Sequence, residues 1–126
     1  MILVDTNILI EIYRDNQLII DCVRSIGQQN IAVSVITSTE LMYGARNKNE
    51  LQTILKDLKK LSVLNIETDI SIKFVQLIEK YALSHKLSLP DAMIAATAIC
   101  RNLPLYTLNT KDFIFIKEVN LFEASI

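Results

Sequence analysis

The sequence predicts an α/β fold in which a central, mostly parallel sheet of about five strands is covered by helices on both faces. Apolar runs rich in β-branched residues alternate with helix-length patterns along the whole chain. The 126 residues include only two Gly and two Pro, which leaves little material for linkers or long turns. We therefore expect residues 1–126 to form a single domain, with its functional residues at the carboxyl ends of the strands.

Five strands are predicted at residues 2–4, 31–35, 63–66, 105–108 and, more weakly, 119–122. Helices are predicted at about residues 17–25, 51–61, 69–84 and 91–100. The clearest is the helix at 69–84, where Phe74, Leu77, Ile78 and Tyr81 repeat at the spacing of one buried face. The segment DAMIAATAIC at 91–100 is apolar nearly all round, so we expect this helix to be buried.

Composition excludes several functional classes. A net charge of −1 argues against a protein that binds nucleic acid through a broadly basic surface. No apolar run approaches the eighteen residues of a membrane span, and the N-terminal run lacks a basic leader, so we expect a cytoplasmic protein without membrane association.

Cys22 and Cys100 fit reduced core residues better than a disulfide. His85 is the single histidine and has no evident nucleophile partner. Any chemistry must therefore rest on carboxylates.

Four acidic residues stand out by their position. Asp5 ends the first strand, Glu40 follows the second, Asp91 opens the buried helix and Asp112 follows the fourth strand. An open α/β sheet can bring such distant strand ends and helix starts together.

Each acid also has a purely structural explanation. Thr37 and Glu40 have the spacing of a capping box, in which Thr37 would cap a helix. Asp5 would serve as an N-cap, and Asp91 would follow Pro90 at the first helical position and meet the helix dipole. Asp112 would be a solvated turn residue. Capping does not explain why acids flank the most apolar strand and the most apolar helix.

Converging carboxylates would repel one another and lose hydration, which forces some of them to protonate unless a cation is bound. Mg²⁺ or Mn²⁺ takes oxygen ligands, keeps several waters and commonly bridges one or two carboxylates to a phosphate. A site built from carboxylates without histidine therefore indicates metal-assisted hydrolysis of phosphodiester bonds.

Four segments in order carry a family resemblance: MILVDTNILI, TSTELMYG, LPDAMIAATA and TLNTKDF. Together they span nearly the whole chain. The sequence resembles PIN-domain proteins and, more narrowly, is similar to the ribonuclease toxins of bacterial VapBC-type toxin–antitoxin pairs. The resemblance implies a PIN-like fold and a Mg²⁺- or Mn²⁺-dependent endoribonuclease. It also implies a homodimer, a small antitoxin partner whose C-terminal segment lies across the active site, and a structured RNA substrate such as tRNA or rRNA.

By the same resemblance the catalytic quartet is Asp5, Glu40, Asp91 and Asp112, with Asp5 and Asp91 as the metal ligands. The accessory residues that orient carboxylates, waters or phosphate are Thr6, Asn7, Thr107 and Asn109. Asn109 and Asp112 could share or exchange the fourth acidic role. Arg14 and Arg46 are the basic residues nearest these motifs and are candidates for contact with an RNA phosphate. The alternative function is a catalytically silent PIN-like scaffold that acts through a protein or RNA partner.

Overall fold

A computed structural model describes residues 1–124 and shows a four-stranded parallel sheet with helices on both faces. The strands are β1 (Ile2–Val4), β2 (Ile31–Ser34), β3 (Ser62–Leu64) and β4 (Leu105–Tyr106). The helices are α1 (Thr6–Tyr13), α2 (Gln17–Ile26), α3 (Val35–Tyr43), α4 (Lys48–Leu58), α5 (Thr68–His85) and α6 (Leu89–Arg101). The predicted fold class is thus confirmed. None of the helices in this part of the chain is long and apolar enough to cross a membrane.

The strand order is β3-β2-β1-β4, and every neighbouring pair is parallel. The predicted fifth strand at residues 119–122 is reduced to one parallel bridge between Leu105 and Leu121. Two backbone hydrogen bonds of 2.8 Å flank this bridge, from Leu105 to Asn120 and from Phe122 to Leu105. Pairing stops there because β4 is only two residues long.

Successive residues of the central strands serve two separate cores. Leu3 and Ala32 pack with α5 and α6, whereas Val4 and Val33 pack on the other face with α1, α2, α3 and α4. This alternation is the period-two geometry of a strand whose two faces are both covered. It makes the sheet a rigid platform, with β1 at its centre.

Several element boundaries differ from the predicted ones. Strand β3 covers Ser62–Leu64 rather than residues 63–66, and β4 covers Leu105–Tyr106 rather than residues 105–108. Two other differences have a clear local cause. Helix α4 starts at Lys48 rather than at residue 51, because the Asn47 side chain caps it by accepting a 2.9 Å hydrogen bond from the Glu50 N–H. Strand β2 ends at Ser34 rather than Val35, because the Ser34 side chain already caps α3. The predicted burial of the helix at 91–100 is confirmed, with five successive residues of α6 from Ile94 to Ala98 all buried.

Candidate functional site

Asp5 lies at the carboxyl end of the central strand, where β1 passes directly into α1. Its side chain is only 6% exposed, and one carboxylate oxygen accepts a 2.7 Å hydrogen bond from the backbone N–H of Thr6. Asp5 is therefore the N-cap of α1, as the structural explanation of this residue predicted. Capping uses one oxygen of the carboxylate, so the second oxygen remains for other contacts.

The second oxygen of Asp5 faces the end of β4. It accepts a 2.8 Å hydrogen bond from the Thr107 hydroxyl and a longer one of 3.3 Å from the Asn7 amide. The Asn7 carbonyl oxygen in turn accepts from the Leu108 N–H at 3.3 Å, and Thr107 accepts from the Asn109 N–H at 3.1 Å. These contacts fix the Asp5 carboxylate between two neighbouring strand ends.

Glu40 reaches the same edge of the sheet from α3. The predicted capping box is wrong: Ser34 caps α3 by accepting from the Ile36 N–H, and Thr37 lies inside the helix with no exposed surface. The reason is that the helix starts at Val35, immediately after β2 and two residues before Thr37. Instead, the Thr6 hydroxyl donates to Glu40 Oε1 at 2.7 Å and lies 3.1 Å from the Thr37 hydroxyl. A chain of hydroxyl groups therefore holds the Glu40 carboxylate beside α1.

Asp91 and Asp112 form the other side of the site. Ser88 caps α6 by accepting a 3.2 Å hydrogen bond from the Asp91 N–H, which places Asp91 in the first helical turn as predicted. Pro90 is the second residue of the helix rather than the first. Asp112 ends a short 3-10 turn after β4. Both carboxylates line one cleft of about 340 Å³.

The charges of the four predicted acids act on one another. Burial raises the pKa of Asp91 to about 6, and the negative charge of Asp5 adds to this increase, followed by those of Asp112 and Glu40. Burial also raises the pKa of Asp5, although its hydrogen bonds from Thr107 and Thr6 act in the opposite direction. The structure therefore brings Asp5, Glu40, Asp91 and Asp112 into one electrostatic cluster.

The donor set suits a hard cation rather than a closed metal cage. Within residues 1–124, no group of three or more His, Cys, Asp or Glu side chains is arranged to hold a metal ion by itself. Mg²⁺ does not require such a group, since it keeps several waters and uses one or two carboxylates. Burial is the main reason that the pKa values of Asp5 and Asp91 are raised, and the charges of the neighbouring acids add to it; a bound cation would favour the ionised form of both carboxylates.

Of the accessory residues, Thr6, Asn7 and Thr107 contact the acids directly through their side chains. Asn109 is exposed and enters the network through its backbone N–H, whereas Asp112 lines the cleft beside Asp91. By its position in the cleft, Asp112 fits the fourth acidic position better than Asn109 does, and its role there stays a prediction.

Arg14 and Arg46 border a second groove of about 590 Å³, which also includes Glu40. Arg46 pairs with Glu50 at 2.9 Å and Arg14 with Glu11 at 3.6 Å. Both arginine side chains are largely exposed, and contact with RNA by either one stays a prediction.

Sequence reasoning gave no site role to Thr37 or Ser88, nor to the residues that line the cleft beside the acids. Thr37 carried a usable signal, because residues three positions apart on a helix lie on the same face, here with Glu40. The cleft residues carried none, since they come from segments far apart in the sequence.

The PIN domain family model matches residues 2–118 of this chain. The chain is 32% identical to Ribonuclease VapC1 of Methanocaldococcus jannaschii, over 95% of this chain and 84% of that protein. It is similar to a toxin-antitoxin complex from Klebsiella pneumoniae, with a TM-score of 0.81 and 38% identity over 94% of this chain and 95% of the other. It is also similar to VapBC2 from Rickettsia felis bound to a DNA fragment from their promoter, with a TM-score of 0.82 and 27% identity over 97% and 98% of the two chains. The predicted family is thereby confirmed, and this chain belongs to the PIN domain family.

Proposed function

We propose that this protein is a metal-dependent endoribonuclease and the toxin of a type II toxin–antitoxin pair. The observation that carries the proposal is the convergence of four carboxylates at one edge of the sheet, where burial and mutual charge raise the pKa values of two of them. Such a cluster is unfavourable without a cation and is well suited to holding one near a phosphodiester. The similarity to Ribonuclease VapC1 supports RNA as the substrate.

Asp5 and Asp91 are the residues that we assign to Mg²⁺ or Mn²⁺. Asp5 is the more rigid of the two, because three hydrogen bonds from Thr6, Asn7 and Thr107 hold its two oxygens. The bound ion would supply a hydroxide near neutral pH and would offset the charge that develops on the phosphate. Asp91 stands in the first turn of α6, so the positive end of the helix also faces this region.

We assign Glu40 and Asp112 to hold the attacking water and the waters bound to the ion. Glu40 is oriented by the Thr6 hydroxyl, so its other oxygen is free to accept a hydrogen bond from water. Asp112 lies on the opposite side of the cluster, in the cleft that it shares with Asp91. The two carboxylates thus approach the proposed reaction centre from different elements. Asn109 would support the end of β4 through its backbone contact with Thr107.

The proposed partners follow from the comparisons and from the family resemblance. Two of the similar solved structures are a toxin-antitoxin complex and a VapBC assembly, which supports a small antitoxin as the cellular inhibitor. We expect a homodimer, a cytoplasmic location and a structured RNA target such as tRNA or rRNA. Induced expression with and without the candidate antitoxin, followed by mapping of new RNA 5′ ends, would identify that target.

Cleavage of RNA by the purified, antitoxin-free protein is the direct test. We expect cleavage with Mg²⁺ or Mn²⁺, none with a chelator, and a loss of at least a hundredfold in Asp5→Asn and Asp91→Asn, in line with removal of a metal-held nucleophile. Asp21→Asn is the matched control, because Asp21 is an exposed carboxylate on α2 whose side chain accepts a 2.7 Å hydrogen bond from Gln17 on the same helix. Undiminished cleavage in both site variants would disprove the assignment, whereas absence of cleavage by the unaltered protein would favour the silent scaffold.

A further inference from the structure

The cleft beside the acids has an aromatic wall. The imidazole ring of His85 is stacked on the ring of Phe115, with 4.1 Å between the centroids and 11° between the planes. Tyr81 meets both rings edge-on, at 5.6 Å from His85 and 5.1 Å from Phe115. His85 and Phe115 line the same cleft as Asp91 and Asp112. The acids therefore have a stacked aromatic pair as their neighbour.

The accessible face of this pair belongs to His85. His85 is exposed, whereas Phe115 is half-buried and Tyr81 is only 9% exposed. The Ser84 hydroxyl lies 2.8 Å from Nδ1 of His85 and helps to fix the ring orientation. The imidazole thus has one face against Phe115, and its exposed part is accessible to a flat group from solution.

Two lysines line the same cleft. Lys86 and Lys111 border it together with the aromatic pair, and within residues 1–124 neither makes an ion pair with an acidic side chain. Lys86 has a left-handed backbone with φ of 54°, a conformation that glycine or asparagine adopts more readily. The chain therefore carries a cation at a position where its backbone favours a different residue.

We propose that His85, Phe115, Lys86 and Lys111 form a nucleotide subsite, in which one base of single-stranded RNA stacks on His85 and its phosphate contacts the lysines. The proposal rests on the proposed function for the identity of the polymer. A flat aromatic surface beside cations is the combination that single-stranded RNA requires, because every base has a face to stack and every phosphate carries a charge. An acidic peptide would use the lysines but not the stacked rings.

The position of the subsite gives it a role in cleavage. Asp91 and Asp112 share the cleft with the aromatic pair, so a base stacked on His85 belongs to a nucleotide next to the scissile phosphate. The lysines also offset the repulsion between the acidic cluster and the RNA backbone. Stacking on an aromatic ring tolerates any base, so the subsite positions the strand without selecting a sequence.

Binding of a short single-stranded RNA that carries 2-aminopurine tests the proposal, because the fluorescence of this base is quenched when it stacks. The measurement is made without divalent cations, so that no cleavage is involved. We expect quenching with the unaltered protein and roughly five- to a hundredfold weaker binding with little quenching for His85→Leu, the range expected from loss of one base–aromatic stack. His85→Phe should retain both, because it keeps a flat ring.

Tyr43→Leu is the matched control, since Tyr43 is an aromatic residue that is 94% exposed and does not line the cleft. Lys86→Gln and Lys111→Gln should each weaken binding and reduce its salt dependence. Unchanged quenching and affinity in His85→Leu, or equal losses in Tyr43→Leu, would overturn the proposal. So would a loss of antitoxin affinity in His85→Leu without a loss of RNA affinity. If the unaltered protein quenches the fluorescence of 2-aminopurine but does not cleave RNA when Mg²⁺ or Mn²⁺ is added, the proposed function is disproved while the subsite is supported.

Discussion

Replacing Asp91 by Asn should stabilise the protein when metal is absent, because it removes an unfavourable charge. The pKa of Asp91 rises from 3.8 to about 6 in the folded protein, chiefly through burial and secondarily through the charge of Asp5. A tenfold change in proton affinity corresponds to about 1.4 kcal/mol, so full ionisation would cost the folded state about 3 kcal/mol. Because the carboxylate is only half-buried, screening by water reduces this cost to roughly 1–2 kcal/mol.

The expected gain is smaller than that cost for one local reason. Asp91 lies in the first turn of α6, where a negative charge interacts favourably with the helix dipole by about 0.5 kcal/mol. The Ser88 cap bonds the backbone N–H of residue 91 and is therefore retained in the variant. We expect a net stabilisation of about 1 kcal/mol at pH 8, equivalent to a rise in Tm of about 4 °C for a domain of this size.

The sign of the effect depends on pH. A carboxyl group whose folded-state pKa lies above its unfolded value binds protons more tightly when folded, so stability falls as pH rises from about 3.8 to about 6. The difference between Asp91→Asn and the unaltered protein should thus be absent below about pH 3 and complete above about pH 7. Urea denaturation in the presence of a chelator, repeated across this range, measures it.

Asp69→Asn is the matched control for this measurement. Asp69 also lies in the first turn of a helix, but its hydrogen bonds with Arg101 lower the pKa of its carboxyl group. This substitution should therefore not stabilise the protein at pH 8. If Asp91→Asn lowers the stability at pH 8, or if its effect is independent of pH, the acids do not form the repulsive cluster inferred from the structure.

Three further predictions concern groups around the site. Thr6→Val removes the hydroxyl that donates to Glu40, and it should lower kcat for RNA cleavage roughly 10- to 100-fold with little change in KM, whereas Thr6→Ser should retain most activity. Ser34→Ala removes the cap of α3 and should cost about 1 kcal/mol in denaturant unfolding, while Ser34→Thr should cost less. Phe113→Ala should cost about 3–5 kcal/mol, because the Phe113 side chain has no exposed surface and packs in the core between the sheet and α6. A change below 1 kcal/mol for Phe113→Ala would contradict the packing of the segment after β4.

Much of the fold and of the acidic cluster could be predicted because both follow from short-range patterns. Parallel strands place their carboxyl ends at one edge of the sheet, so Asp5 and Asp112, which each follow a predicted strand, were expected at that edge. The pairing of β1 with β4, which makes their strand ends neighbours, was not predicted and is seen in the structure. The helix at 91–100 was predicted from its apolar surface alone. Asp91, in the first turn of this helix, lies at the same edge because α6 begins there.

The remaining features depend on contacts that no local pattern records. The capping box at Thr37 was wrong because α3 starts with no loop after β2, so Ser34 takes the capping role. The stacking of His85 on Phe115 joins residues from α5 and from the segment after β4, and it depends on how closely that segment packs. A single histidine without a nucleophile partner gave no sign of a role in binding. The proposed role of His85 in binding depends on the residues that line the cleft around it.

A calorimetric titration of Mn²⁺ into the antitoxin-free protein measures directly whether the acidic cluster binds a metal ion. We expect saturable binding to the unaltered protein, weakening of at least tenfold in Asp5→Asn and Asp91→Asn through loss of a metal ligand, and unchanged binding in Asp21→Asn. Absence of Mn²⁺ binding to the unaltered protein, or an affinity of the two site variants equal to that of the unaltered protein, would disprove the metal site.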